Sequence, residues 1–347
     1  MKPCLKAVAM LMTGVFALGS LGVCRAEDWV QAKFDARRSG NVPDRSLNLP
    51  LGLVGAVPLT DAIFTSPVVA KGRVFVVDGS GVAFGIDATN GQVLWKSTTR
   101  GGAANCNNVS SPVMAGSYLH FGTTAGTYYV LNTADGTVVK EIACGEPIFS
   151  SPVAANGRVY FATLGSKVYA LEPDGKVCWT WDFVAEKLGF QGDRWSGQDW
   201  LHRKETRVTP TELFACMRDL AVHGKTLVVP AGGYVVWLTD AGDKAQVQAT
   251  AAPRNVTLGL SIGEDGAVYR QWTLLDNGGQ VDVLRPGDGD KIQTSAVGGT
   301  RTNTNGGLVS FASVSLRGND VYRCRPEDGF GLCRHHIGTD GPEPLAA

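Results

Sequence analysis

Charge is scarce in this chain. Asp, Glu, Lys and Arg make up 18% of its 347 residues, and 32 basic side chains balance 32 acidic ones to a formal net charge of zero. No basic stripe stands out, so a phosphate backbone would find no cluster of Lys and Arg to neutralise it, and nucleic acid is excluded as a partner. The cysteines include neither an adjacent pair nor a Cys-x-x-Cys spacing, which argues against a zinc or dithiol redox site. Adjacent histidines occur once, at His335-His336; two ligands pointing apart do not hold a metal, and the pair reads as a solvated tail. Asp240-Ala241-Gly242-Asp243 and Asp288-Gly289-Asp290 lack the regular oxygen ligands of a calcium loop and read as hairpin tips. Glycine, by contrast, is abundant at 44 residues, the mark of many short strands joined by tight turns rather than of helices.

The first residues have the layout of an export signal. Lys2 and Lys6 precede an apolar run from Ala7 to about Val23, and Cys24-Arg25-Ala26 supplies a cleavage site, so residues 1–26 are predicted to be a signal peptide. Residues 27–347 are expected to form one periplasmic or secreted domain with no transmembrane segment. Lipid attachment at Cys24 is the alternative, disfavoured by the bulk of Val23. Without Cys4 and Cys24 the eight cysteines fall to six, an even number in an oxidising compartment. Of the connectivities these allow, a sequential one is expected: Cys106 with Cys144, Cys178 with Cys216, Cys324 with Cys333.

One unit recurs along the chain. It opens at Ser66-Pro67-Val68, Ser111-Pro112-Val113 and Ser151-Pro152-Val153, spacings of 45 and 40 residues that suit a four-stranded blade. Each copy passes a glycine turn (Gly72, Gly116, Gly157) into an alternating strand such as Val74-Phe75-Val76-Val77, the period of a half-buried strand. A third strand leads to an Asn-Gly or Asp-Gly turn, and a fourth closes the unit with Val93-Leu94-Trp95 or Val177-Cys178-Trp179. Worn copies occur at Leu220–Leu238 and Ser261–Tyr269. A sixth begins near Phe311, holds Val321–Cys324 and Gly331–Arg334, and lacks a recognisable fourth strand. Leu51–Val57, just before the first copy, reads as an orphan strand. The fold predicted is all-β: a β-propeller of about six four-stranded antiparallel blades, with seven as the alternative, its ring closed by that N-terminal strand completing the last blade.

Gly85-Ile86-Asp87-Ala88-Thr89-Asn90-Gly91-Gln92-Val93-Leu94-Trp95 resembles the tryptophan-docking motif of the pyrroloquinoline-quinone-like (PQQ-like) repeat propellers, matching at Asp87, Gly91 and Trp95. The third copy keeps Gly175 and Trp179; the second has Lys140 where Trp would stand. The resemblance covers about residues 60 to 180. It implies that the tryptophans pack between neighbouring blades while Asp and Gly shape the hairpin. It also implies a choice between two branches. One is the quinoprotein dehydrogenases, which hold PQQ and calcium; the other is cofactor-free periplasmic propellers of the outer-membrane assembly lipoprotein type. The missing vicinal cysteines and the low blade number place this chain nearer the second branch, with no cofactor. The segment containing Trp29, Phe34 and Arg37-Arg38-Ser39-Gly40 resembles the start of many such propellers and is expected to lie against the ring as a plug or strap.

The repeat is interrupted at about 182–216. Successive turn glycines, Gly157 and Gly224, stand 67 residues apart, so this insertion must bulge from one rim. Its Asp193, Arg194, Trp195, Gln198, Trp200 and Arg203 combine aromatic faces with directional polar groups, a set suited to a protein or glycan partner. Asp199 and His202 would share a face on a helix and form a candidate for a carboxylate-oriented general base. The function expected is therefore a non-catalytic binding scaffold of the cell envelope, monomeric or part of a larger complex. The alternatives are a diverged PQQ-dependent alcohol or sugar dehydrogenase, or a propeller hydrolase or lyase.

Overall fold

Each copy of the repeat folds into one antiparallel sheet. The computed structural model describes residues 28–43, 45–46, 49–100, 107–195, 202–203, 206–207, 209–254, 256–274, 278–287, 292–296, 314–325, 331–337 and 343–344. These contain six four-stranded sheets and one short hairpin. The first sheet comprises β1 (Val68–Ala70), β2 (Arg73–Val77), β3 (Val82–Asp87) and β4 (Val93–Thr98); the second β5 (Val113–Ala115), β6 (Tyr118–Gly122), β7 (Thr127–Asn132) and β8 (Val138–Ala143). The third has β9 (Val153–Ala155), β10 (Arg158–Ala162), β11 (Lys167–Leu171) and β12 (Val177–Asp182). After the insertion, with α1 (Phe183–Glu186), the hairpin β13 (His202–Arg203) and β14 (Thr206–Arg207), and α2 (Pro210–Leu213), the fourth sheet holds β15 (Ala221–His223), β16 (Thr226–Ala231), β17 (Tyr234–Asp240) and β18 (Ala245–Ala251). The fifth holds β19 (Thr257–Ile262), β20 (Val268–Leu274), β21 (Gly278–Pro286) and β22 (Ile292–Ala296); the sixth β23 (Ser315–Arg317), β24 (Asp320–Arg325), β25 (Gly331–His336) and β26 (Glu343–Pro344).

Neighbouring sheets join through apolar clusters in chain order. Phe75 and Val77 of the first pack with Leu119 and Phe121 of the second, Tyr128 of the second with Phe161 of the third, and Tyr160 of the third with Val229 of the fourth. Val228 then meets Leu260 and Val268 of the fifth, and Tyr269 meets Leu316 and Val321 of the sixth. Because the middle strands are covered on both faces, alternation there gives way to near-continuous apolar runs, while outer strands such as β4 keep solvent on one side. The first strands of successive sheets lie side by side. Such radially stacked antiparallel sheets are the architecture of a propeller.

The docking motif is visible as geometry. Asp87 accepts hydrogen bonds from the Thr89 backbone and hydroxyl, at 2.7 and 2.5 Å, and so shapes the hairpin in which Gly91 takes φ +73°. The Trp95 indole reaches into the next sheet, donating to the Thr133 carbonyl at 3.1 Å. It lies so close to Gly136 that a Cβ there would sit 2.4 Å from the ring. Trp179 repeats the reach toward Asp240 in the fourth sheet, at 2.9 Å. Gly175, at φ +88°, packs on the aliphatic part of Lys140, which takes the tryptophan's place.

Two expectations about the ring need correction. Leu51–Val57 forms no strand with the last sheet; Leu53 and Val54 are 90% and 100% exposed, and Val57 packs beside Leu59 on the face of the first sheet turned away from the second, against Val76, Val82, Phe84 and Ile86. Gly52 and Gly55 remove side chains that a strand would pack, and adjacent Leu53 and Val54 would point to opposite faces. The sixth sheet instead has its own fourth strand, β26, with Cys333 opposite Pro344.

The middle of the assembly is occupied by residues 29–40. Trp29 exchanges two backbone hydrogen bonds with Val69 of β1, and the Val30 carbonyl accepts from Met114 of β5. The Gln31 amide accepts from the backbone N–H of Ala154 of β9, at 3.1 Å. The carbonyls of Ala36, Arg37 and Ser39 then accept from Val222 of β15, Ile262 of β19 and Leu316 of β23. One short segment thus binds the innermost strand of all six sheets, in chain order. The plug or strap expected from the sequence is a hub.

Arg38 is the hub's anchor. It is fully buried, and its guanidinium donates to four backbone carbonyls: Leu220 at 3.0 Å, Ala32 at 2.9 Å, Ser151 at 3.1 Å and Pro152 at 2.9 Å. Burial lowers the pKa of the guanidinium from its ordinary value, while Asp219 and Asp35 supply negative potential nearby that opposes the shift. Lys33 donates to the Val314 carbonyl at 2.7 Å beside the last sheet, and burial pulls its pKa down to about 8.

Candidate functional site

The insertion sits on the rim where first strands begin, since it leaves the end of β12 and returns to the start of β15. Its first anchor is Asp182, whose carboxylate caps α1 by accepting from Val184 and Ala185 at 3.0 and 3.1 Å. The same carboxylate receives Arg194 in a two-pronged pair of 3.0 and 2.5 Å. Arg194 also donates to the Gly165 carbonyl and lies 3.5 Å from Glu146, which stands in the connection between the second and third sheets. A residue chosen from the sequence for ligand recognition therefore has its guanidinium engaged by the protein itself.

What Arg194 positions is Trp195. The Asp193 side chain accepts from the Trp195 backbone N–H at 2.9 Å, the indole N–H donates to Glu146 at 3.0 Å, and the ring meets Phe214 edge-on with centroids 5.1 Å apart. Glu146 is held in turn by the Thr163 hydroxyl at 2.5 Å. Despite these restraints Trp195 remains 37% exposed. A partly exposed indole fixed in one orientation loses little entropy when something stacks on it, the condition for a hot spot. Glu146, Asp182 and Phe214 escaped the sequence reading because Glu146 lies 49 residues from Trp195 and in a different repeat.

The far side of the insertion is fastened too. α2 carries a capping box between Thr209 and Glu212. Beyond it, the Cys216 N–H donates to the Leu164 carbonyl at 2.9 Å, the Ser166 hydroxyl donates to the Phe214 carbonyl, and the turn at Gly232-Gly233 donates to the Ala215 and Glu212 carbonyls. Of the remaining predicted contacts, Gln198, Asp199 and Trp200 lie outside the described residues. His202 and Arg203 form a two-residue strand against Thr206 and Arg207, so the helical spacing that would align Asp199 with His202 does not run through this point.

The cysteine pairing is corrected. Cys178 and Cys216 are free thiols, as is Cys144, so neither the Cys178–Cys216 nor the Cys106–Cys144 bridge forms. Strand direction explains the first case: Cys178 stands at the hairpin end of β12, next to Lys176, and Cys216 at the opposite rim beyond Asp182. Burial pushes Cys216 up to about 12 and Cys144 up to about 11, so both stay protonated. Cys106 and the side chains of Cys324 and Cys333 lie outside the described residues. His335 and His336 are part of β25 rather than a solvated tail; His335 is buried, and His336 pairs with Asp320 at 2.9 Å. Among the described residues no group of three or more His, Cys, Asp or Glu is placed to hold a metal, and no helix is long and apolar enough to cross a membrane.

Comparison with known proteins agrees with this architecture. Residues 56–151 and 112–336 match the family described as outer membrane protein assembly factor BamB. A curated relative, outer membrane protein assembly factor BamB of Yersinia pestis, is 26% identical over 127 residues, 35% of this chain and 32% of the relative. The match thus spans about a third of that protein's length. Among solved structures, BamB from Moraxella catarrhalis superposes with a TM-score of 0.52 at 15% identity, over 80% of this chain and 71% of that one. The quinohemoprotein alcohol dehydrogenase of Comamonas testosteroni gives 0.58 at 14% identity, over 85% and 57%. At these identities the two structures speak for the fold alone.

Proposed function

Since this chain belongs to the family of the outer membrane protein assembly factor BamB, we propose that it is an exported, non-catalytic propeller scaffold that holds a protein of the bacterial cell envelope against its insertion-bearing rim. The observation that carries this reading is Trp195, locked by Glu146, Asp193 and Phe214 yet open to a partner. Export rests on the apolar leader in residues 1–26, which lie outside the described residues. In this reading the six sheets are the six blades of one ring, a reading supported by the hub, which binds the first sheet through Trp29 and the sixth through Ser39.

The likeness to a dehydrogenase raises the question of PQQ with calcium. The residues at the axis do not fit that group. Arg38 and Ser39 are buried there, the Arg38 guanidinium is occupied by four carbonyls, and Asp35 accepts from the Ser39 backbone and hydroxyl at 2.8 Å each. A quinone at the axis would have to displace the segment that joins the sheets.

The test is capture of envelope proteins by the purified chain. Trp195→Ala should cut capture about tenfold or more, the scale of one aromatic hot spot, with the thermal midpoint unchanged. Capture equal to wild type would refute the assignment of this rim.

A further inference from the structure

A second polar site lies at the seam between the fourth and fifth sheets. In β20, Val268 packs toward the fourth sheet and Tyr269 toward the sixth, so Arg270 and Trp272 also face the fourth. Asp282 stands opposite Arg270, and Thr257 opposite Trp272. All four are buried.

Their hydrogen bonding is incomplete in one direction. The Arg270 guanidinium donates to Asp282 at 2.8 Å and to the Gly233 and Ala252 carbonyls at 3.2 and 3.4 Å, but its Nε–H has no partner. Neither has the Trp272 indole N–H nor the Thr257 hydroxyl. A buried donor left unmade costs about 1–3 kcal/mol, so a cluster of them is retained where something supplies acceptors. The charge balance points the same way. Arg254, half exposed, lies 5.5 Å from the Trp272 ring and 3.8 Å from Asp282, so two guanidinium groups share one carboxylate and a positive charge is left over.

We propose that this seam binds a carboxylate, with the Arg270 Nε–H, the Trp272 indole and the Thr257 hydroxyl as donors and Arg254 as the solvent-facing cation at its entrance. A carboxylate offers the two acceptor oxygens and the single negative charge that the cluster lacks. It can come from a free small acid or from an acidic side chain of a bound protein. The seam contains neither Trp195 nor Glu146, so its occupancy and capture at the insertion rim succeed or fail separately.

The experiment tracks the Trp272 indole N–H resonance of the 15N-labelled full chain, assigned by its disappearance in Trp272→Phe, at constant ionic strength. Three probes are titrated: sodium acetate, a capped peptide containing one Glu, and the same peptide with Gln. The expected result is a saturable shift with acetate, with the Glu peptide or with both, and none with the Gln peptide. Acetate acting as well as the peptide identifies a small acid as the source; the peptide alone identifies a protein side chain. Arg254→Gln should weaken the response about tenfold, the scale of one lost charge-assisted contact. An unmoved resonance, an equal shift with the Gln peptide, or an Arg254→Gln titration matching wild type would each overturn the site.

Discussion

Two stretches of this chain stand outside the repeat, and they treat their charges in opposite ways. The hub at residues 29–40 takes its cations inside: Arg38 is fully buried against four carbonyls, and Lys33 is pressed against the last sheet. The insertion places Arg194 in a carboxylate pair near the surface and leaves an aromatic face uncovered beside it. Both are irregular and both contain Trp and Arg, so composition does not separate them. What separates them is reach: the hub's polar groups answer backbone groups of all six sheets, whereas those of the insertion answer only neighbours on its own rim, such as Glu146, Asp182 and the Gly165 carbonyl. The first pattern joins the sheets at their inner edges; the second leaves an aromatic face uncovered at one rim.

That contrast can be broken from the hub side first. Arg38→Met strands four buried carbonyls at once and should destabilise the protein by about 4 kcal/mol or more, read as a collapse in soluble yield and thermal midpoint. Trp95→Ala, which removes an inter-sheet wedge without touching the hub, should cost about 3 kcal/mol by denaturant unfolding. Similar losses from the two would mean that the hub contributes no more than an ordinary blade contact.

Lys33 offers a pH test. Its folded pKa of about 8 lies below the ordinary 10.5, so the unfolded chain binds the proton more tightly, and the charged form penalises folding fully below pH 8. Stability should therefore rise from pH 8 to 10.5, by up to about 3 kcal/mol relative to Lys33→Met. Parallel urea titrations of the two proteins that track each other across this range would remove the idea of a buried hub cation. The smallest stability effect belongs to the insertion: Trp195→Ala should change unfolding by about 0.5 kcal/mol or less while partner capture falls. A loss as large as that of Trp95→Ala would place Trp195 with the architecture instead.

The first three sheets are legible in the sequence because their Ser-Pro-Val openings, glycine turns and closing Trp95 and Trp179 are local signals, each contained within one hairpin or strand. The ends of the ring are not. Glu343–Pro344 is too short to carry a period, while Leu51–Val57 imitates one without neighbours to pair with. At the candidate site, Trp195 and Arg194 stand out by residue type, but their fixation by Glu146 depends on how the second and third sheets stack, which no local pattern encodes. The Cys178–Cys216 pairing fails for a related reason, since the two are separated by the length of a strand whose direction decides which rim each occupies.

The hub also sets a timetable for folding. Lys33 and its acceptor Val314 are 281 residues apart in the chain, and Ser261 reaches back 223 residues to Arg38. Contacts of such long range are slow to form, because the entropy of closing the loop must be met before any reward arrives. Each early sheet can zip up from its own hairpins, but the segment that precedes them all gains its last partners only after the sixth sheet exists. Completion is therefore a late, concerted event, and a chain truncated before Val314 should persist as a stack of sheets around an unfinished axle.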